Sequence, residues 1–255
     1  MAASIPIGES ARESDLDFDY GTFDTAKFTA QSLADWQSLA AIIDHSLLKP
    51  EATRRQVEDL CNEAVRYRFA GVMVNPVWAS TAVGLLAGTG IPVGAPVGFP
   101  LGASLVSTLR QEAAALIRLG VRELGMVLPI GQLKSGNQQA VEHAIGAAVH
   151  VAHHHGAILK VNLETCLLTV QEKLRASEIA IQAGADFIST ATGFASGGAT
   201  PADVALIRGV AGARCGVKAA GRIRTVAQVR ALLEAGANRI GSSASVAIVR
   251  ELGAE

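Results

Sequence analysis

Eight short β-like runs separated by helical stretches predict a single-domain (β/α)8 TIM barrel, an α/β fold. Two further observations support that class. The length, 255 residues, is close to that of one such barrel. A helical pattern also ends repeatedly in Gly plus a small apolar residue and then enters an apolar run. Gly suits a helix C-terminus because the residue after the cap turns left-handed, and the apolar run reads as a strand buried on both faces. The rival fold, a doubly wound open sheet, would usually carry G-x-G-x-x-G after its first strand, and none is present.

The elements follow in order. Strand 1 is read at Ile42-Ile43, leading into Asp44, His45 and Ser46. Gly71-Val72 precedes strand 2 at Met73-Val74, and strand 3 is the run from Pro92 to Ala95. Gly120-Val121 leads into strand 4, Leu124 to Val127, and Gly156-Ala157 into strand 5, Ile158 to Val161. Gly184-Ala185 introduces strand 6 at Phe187-Ile188. Strand 7 is Gly216-Val217-Lys218, and Gly236-Ala237 opens strand 8 at Arg239-Ile240. The intervals leave room for one crossover helix per strand, as parallel pairing requires.

Residues 1–40 lie outside the repeat and are expected to form an N-terminal extension, partly docked or disordered, before a barrel spanning 41–255. The extension is acidic, yet it holds Phe18, Tyr20, Phe23, Phe28 and Trp36, five of the chain's eleven aromatic residues. Disordered tails are usually poor in aromatics, so part of this segment is expected to dock on the barrel or on another subunit.

Hydrophobic residues make up 49% and charged residues 18%, with net charge −1. That balance suits a large core and predicts no attraction to nucleic acid or to a membrane surface. Apolar runs break well before the ~18 residues a span needs. Cys61, Cys166 and Cys215 are far apart and without C-x-x-C spacing. No disulfide framework or thiolate metal site is therefore expected, and a reducing cytoplasmic compartment follows. No signal peptide is read at the N-terminus. His153, His154 and His155 are consecutive. Neighbouring helical residues diverge, so these read as a solvated helix end rather than a metal set. His45 is expected to pack outward. No metal and no cofactor are expected.

Ligands of such barrels bind at the C-terminal ends of the strands, where alternate residues face inward. Polar residues in the strand runs are therefore informative. Asp44 and Ser46 share one side of strand 1, Lys160, Asn162 and Glu164 one side of strand 5, and Ser189 and Ala191 one side of strand 6. Lys218 stands among small residues of strand 7. A lysine buried in such a run must be paired or neutral. Lys218 and Lys160 thus read either as amines for imine or proton-transfer chemistry, or as structural ion pairs to Glu164 or Asp44. Gly-rich turns at Gly193, at Gly221-Arg222 and at Gly241-Ser242-Ser243 offer backbone N–H groups for a phosphate, with Arg224 adding charge.

Several ordered strings resemble the deoxyribose-phosphate aldolase family over roughly residues 40–250. They include Ile43-Asp44-His45-Ser46-Leu47-Leu48-Lys49-Pro50, Val97-Gly98-Phe99-Pro100-Leu101-Gly102, Thr192-Gly193-Phe194 and Val217-Lys218-Ala219. The resemblance implies a class I aldolase barrel that joins or splits acetaldehyde and glyceraldehyde 3-phosphate through a lysine imine. It implies that Lys218 matches the second, pKa-lowering lysine, that Asp44 matches the strand 1 aspartate, and that Gly241 and Ser242 match the phosphate loop. It also implies a homodimer. The family's imine-forming lysine falls on Ser189, its relay aspartate on Gly125, the asparagine that follows on Pro129, a phosphate-loop glycine on Arg222 and its strand 2 cysteine on Met73. A serine hydroxyl cannot form an imine.

Three functions are therefore expected to compete, each with a small carbonyl or phosphorylated substrate. The first is an aldolase-like carbon–carbon lyase with Lys218 as the amine. The second is a repurposed barrel catalysing non-aldol isomerisation, dehydration or cyclisation with Lys218, Lys160, Glu164 and Asp44 as acid–base groups. The third is a non-catalytic ligand-binding relative.

Overall fold

The structure, a computed structural model, describes residues 23–255. Phe18 and Tyr20, expected to help dock the extension, lie outside the described residues.

Eight parallel strands close into a barrel in chain order. They are β1 (Ile43–Leu47), β2 (Gly71–Val74), β3 (Val93–Val97), β4 (Glu123–Val127), β5 (Ile158–Asn162), β6 (Phe187–Ser189), β7 (Gly216–Ala220) and β8 (Arg239–Ser242). The seam is sealed by β1 on β8, with Asp44 opposite Gly241. The period-2 alternation sends one set of residues outward against the helices, for example Val72, Leu124, Leu159, Ile188, Val217 and Ile240, all buried. Most of the inward set is small or polar, Met73, Pro96 and Phe187 being the larger apolar members. It includes Asp44, Glu123, Gly125, Lys160, Asn162, Lys218 and Gly241. The apolar core is therefore the sheet–helix layer, and the barrel interior is reserved for charge and for a cavity.

The crossover helices are α3 (Arg54–Tyr67), α4 (Ala79–Leu85), α5 (Val106–Arg118), α6 (Ile130–Lys134), α7 (Gln138–His154), α8 (Val170–Gln182), α9 (Pro201–Ala211), α10 (Val226–Glu234) and α11 (Ser245–Glu251). Capping boxes start α3 at Thr53 with Gln56, and α8 at Thr169 with Glu172. Gly120, Gly156, Gly184 and Gly236 all have positive φ after their helices, as read from the sequence. Gly71 does not. Arg68 makes the left-handed turn after α3 with φ 55°, and Gly71 is the first residue of β2. A side chain there would press on the Pro92 carbonyl and approach Arg239, so its glycine serves close packing at the barrel base.

Before β1 come α1 (Thr25–Ser32) and α2 (Trp36–Ala40). Asp24 and Asp35 cap them, accepting from the backbone N–H of Lys27 and Ser38. The Arg208 guanidinium lies 4.2 Å from the Phe23 ring centroid, and Trp36 meets Tyr67 edge-on at 6.2 Å. Arg208 also donates to the carbonyls of Gly212, Cys215 and Gly236, in the turns that enter β7 and β8. This docking surface is the N-terminal end of the barrel, away from the strand ends that bear the cavity.

Candidate active site

A cavity of about 380 Å³ opens at the C-terminal ends of the strands. Its wall includes Ser46, Met73, Pro96, Gly125, Asn162, Ala191, Lys218, Ala220 and Gly241 from the barrel, and Lys49, Phe99, Phe194, Arg222 and Arg224 from the loops. Three cationic side chains line it besides the Lys218 amine (Lys49, Arg222, Arg224), and among the described residues no carboxylate does. A site of that sign attracts an anion. A larger groove of about 620 Å³ runs along α5 and α7 past Arg110, His143 and His150. No strand end contributes to it, so it lies apart from the barrel interior.

Lys218 forms part of the cavity wall while being only 5% exposed. Its Nζ lies 2.5 Å from Asp44 Oδ2. The same oxygen accepts from Lys160 Nζ at 2.7 Å, and Lys160 also reaches Glu123 Oε2 at 2.6 Å. Arg239 closes the network, donating from Nε to Asp44 Oδ1 at 2.7 Å and from Nη2 to Glu123 Oε1 at 3.2 Å. Five strands thus contribute three cations and two carboxylates to one buried cluster, with one positive charge in excess. Burial pushes the Lys218 amine below the usual lysine range; Asp44 opposes that shift and Lys160 reinforces it. Burial favours the neutral acid of Asp44, but Lys160, Lys218 and Arg239 outweigh it and hold its carboxyl well below the usual value. A neutral Lys218 would balance the cluster, and among these groups it is the one that also borders the cavity. The arrangement can present an amine lone pair to a bound carbonyl.

Gly241 makes that reach possible. A Cβ there would stand 2.7 Å from Lys218 Cε and 3.3 Å from Nζ. The lysine therefore crosses β8 through the space above a glycine to meet Asp44.

The other expected site residues divide. Lys160 is 1% exposed and does not line the cavity; its register, two residues before Asn162, sets it deeper in the barrel. Ser189 is fully buried, faces Lys218 in the β6–β7 register, and its Oγ has no hydrogen-bond partner. Glu164 is a correction. β5 ends at Asn162, so the alternation does not extend to it, and Glu164 takes φ 57°. Its carboxylate accepts from the backbone N–H of Thr192 at 3.1 Å and from the Thr192 hydroxyl. It anchors the loop after β6 and pairs with neither lysine.

Gly193, Gly221, Arg222, Gly241, Ser242 and Ser243 all border the cavity. Gly193 and Gly221 have positive φ, and so has Arg222 at 63°. Arg222 Nη2 donates to the Ala195 carbonyl at 3.3 Å, linking the loops after β6 and β7. The Ser242 hydroxyl is committed to the turn, donating to Ile223 and accepting from Ala244. Only its backbone and Ser243 are left for a ligand at that strand end. Sequence reasoning missed Glu123 and Arg239. Both are charged residues that open a strand in the inward register, which is the signal in the sequence that marks them.

The remaining expectations concern residues away from the cavity. His45 points outward, with Nε2 2.8 Å from Glu63. His153, His154 and His155 are exposed at the end of α7, and His153 meets Asp186 at 2.9 Å. Among the described residues, no cluster of three or more His, Cys, Asp or Glu could hold a metal, and the three cysteines are free. No helix among them is long and apolar enough to cross a membrane.

No family model matches the chain. Individual relatives do. The deoxyribose-phosphate aldolase of Geobacillus sp. (strain WCH70) is 49% identical over 212 residues, covering 83% of this chain and 95% of the relative. That of Thermoanaerobacter sp. (strain X514) is 47% identical over 215 residues, covering 84% and 96%. Among solved structures, the tetrameric deoxyribose phosphate aldolase of Aeropyrum pernix superposes with a TM-score of 0.83 at 30% identity, covering 89% of this chain and 96% of that one. Identity near one half along almost the whole length of these relatives, on the same closed barrel, means that the chain belongs to the deoxyribose-phosphate aldolase family.

Proposed function

We propose that the protein is a carbon–carbon lyase of aldolase type, acting on a small aldehyde or sugar phosphate, in which Lys218 supplies the amine. In this reading Ser189 stands where relatives carry the imine-forming lysine, and Gly125 where they carry the relay aspartate. The observation that carries it is the double position of Lys218, within a buried cluster one positive charge in excess and on the wall of a cationic cavity.

Neutral Lys218 Nζ adds to the substrate carbonyl carbon, and loss of the oxygen as water leaves an imine, which takes a proton from cavity water to become the iminium. As the carbon–carbon bond breaks, the proton of the substrate's β-hydroxyl passes to cavity water and the electron pair flows into the iminium, giving an enamine. Reprotonation of carbon and addition of water release the second aldehyde and return the amine. Asp44 holds and orients Lys218 throughout. Gly193, Gly221 and Gly241 offer backbone N–H groups to the phosphate, joined by Ser242, Ser243 and the side chains of Arg222 and Arg224. The working assembly is proposed to be a homodimer, and the compartment a reducing cytoplasm.

The 2.5 Å contact between Lys218 and Asp44 also favours a second reading, in which the pair holds and moves a proton without forming an imine. Incubation with 2-deoxyribose 5-phosphate, borohydride reduction and peptide mapping tests both. A mass adduct on Lys218 is expected. Turnover with no adduct would establish the acid–base reading. Ligand binding with neither would make the protein a non-catalytic relative.

A further inference from the structure

Polar and apolar side chains divide the cavity wall by strand. Ser46 comes from β1, Asn162 from β5 and Lys218 from β7. From β2, β3 and β4 come Met73, Pro96 and Gly125, with Phe99 from the loop after β3. None of these four carries an N–H or O–H donor or an oxygen acceptor in its side chain. Met73 seals that side. A Cβ on Gly94 would lie 2.9 Å from its Cε, and one on Gly125 would lie 3.7 Å from it, so the thioether methyl covers both glycines. Phe194 meets Phe99 edge-on at 5.1 Å and extends the apolar surface to the mouth. Asn162, on the flanking strand, donates its Nδ2 to the Met126 carbonyl at 3.3 Å.

We infer that the protein selects phosphorylated aldehydes whose carbons facing β2–β4 bear hydrogen or alkyl groups instead of hydroxyls. The inference rests on the proposed carbonyl site at Lys218, with the phosphate held by the loops after β6 to β8. A molecule fixed at those two points keeps its reacting β-hydroxyl on the Lys218 side and lays the carbon between that hydroxyl and the phosphate arm against the opposite wall. A hydroxyl pressed against Met73, Pro96 or Phe99 gives up water and gains no side-chain partner, whereas a methylene gains contact. An apolar surface of this kind discriminates by one to two orders of magnitude at most.

The test uses pairs that differ by a single hydroxyl. With acetaldehyde as the co-substrate, 3-oxopropyl phosphate is expected to be consumed with kcat/KM at least about tenfold above that for glyceraldehyde 3-phosphate. By calorimetry, propane-1,3-diol monophosphate is expected to bind more tightly than glycerol 3-phosphate, with no turnover needed. A Cβ at Gly125 would make only ordinary contacts of 3.7 to 4.0 Å, so Gly125→Ser should fold and bring both ratios toward one. Equal or stronger binding of glycerol 3-phosphate overturns the inference and leaves the lyase reading intact. A kept binding preference without adduct or turnover overturns the lyase reading alone. Ratios unmoved in Gly125→Ser overturn the assignment of selectivity to this wall.

Discussion

Lys218 and Asp44 stand 174 residues apart in the chain and meet at 2.5 Å across the intervening strand β8. The contact places an amine between a buried charge cluster and an open cavity. Its environment, more than its residue type, decides whether that amine carries a proton.

Gly241 is the notch through which Lys218 passes. In Gly241→Ala the new methyl would stand 2.7 Å from Lys218 Cε, and the amine would be displaced from Asp44. Adduct formation under borohydride is expected to fall by about 100-fold, since misplacement by an ångström costs that much. Retention of the wild-type trapping rate would show that the lysine needs no such passage.

The pH dependence of trapping tests the charge cluster. Asp44 on β1, Glu123 on β4, Lys160 on β5 and Arg239 on β8 all belong to the network around Lys218. Glu123 helps retain the proton on Lys218, against burial and Lys160. Glu123→Gln leaves three cations against one carboxylate, so the proton is held less well. The rising limb of the trapping profile is expected to move to lower pH than in the wild type. With its pKa depressed on folding, Lys218 binds its proton more readily when unfolded, so its contribution to stability rises with pH between the folded and unfolded values. A profile that moved to higher pH would contradict the cluster's role.

Ser189 offers a test in two directions. Its Oγ is buried and unpartnered, so Ser189→Ala should leave stability unchanged or raise it by about 1 kcal/mol in urea melts. Ser189→Lys adds an amine beside Lys218 in the same register. It should cost about 1–3 kcal/mol by overpacking. It should also move the borohydride adduct to position 189 and raise cleavage of 2-deoxyribose 5-phosphate by about 100-fold. An adduct that stayed on Lys218 alone would show that the barrel no longer supports the family's arrangement.

Glu164 supports the loop after β6 and pairs with neither Lys218 nor Lys160. Glu164→Ala removes the acceptor for the Thr192 N–H and hydroxyl. Steady-state assays are expected to show KM for a phosphorylated substrate up by about tenfold, with kcat little changed. Loss of kcat at constant KM would return Glu164 to the chemistry.

Much of this was legible in the chain itself. Period-2 alternation set Asp44 with Ser46 on one face, and glycines before the apolar runs marked four of the helix ends that were read. The misreadings were local in origin. Glu164 was extrapolated from Lys160 and Asn162, but the backbone turns left-handed after β5 and breaks the alternation. Gly71 looked like the other helix ends, yet Arg68 makes that turn. Glu123 and Arg239 each open a strand, and only the closed sheet brings their charges onto Lys160 and Asp44.

The amino-acid order alone determined the barrel, its inward register, the family, and the presence of Ser189 and Gly125 at their positions. Those are properties of short periodic segments and of residue identity. Only closure of β8 onto β1 decided that Lys160, Lys218 and Arg239 converge on one aspartate, that Lys218 alone of them borders the cavity, and that the wall from β2 to β4 is apolar. Charge balance and desolvation depend on distances across the barrel, and those distances exist only once the sheet has closed.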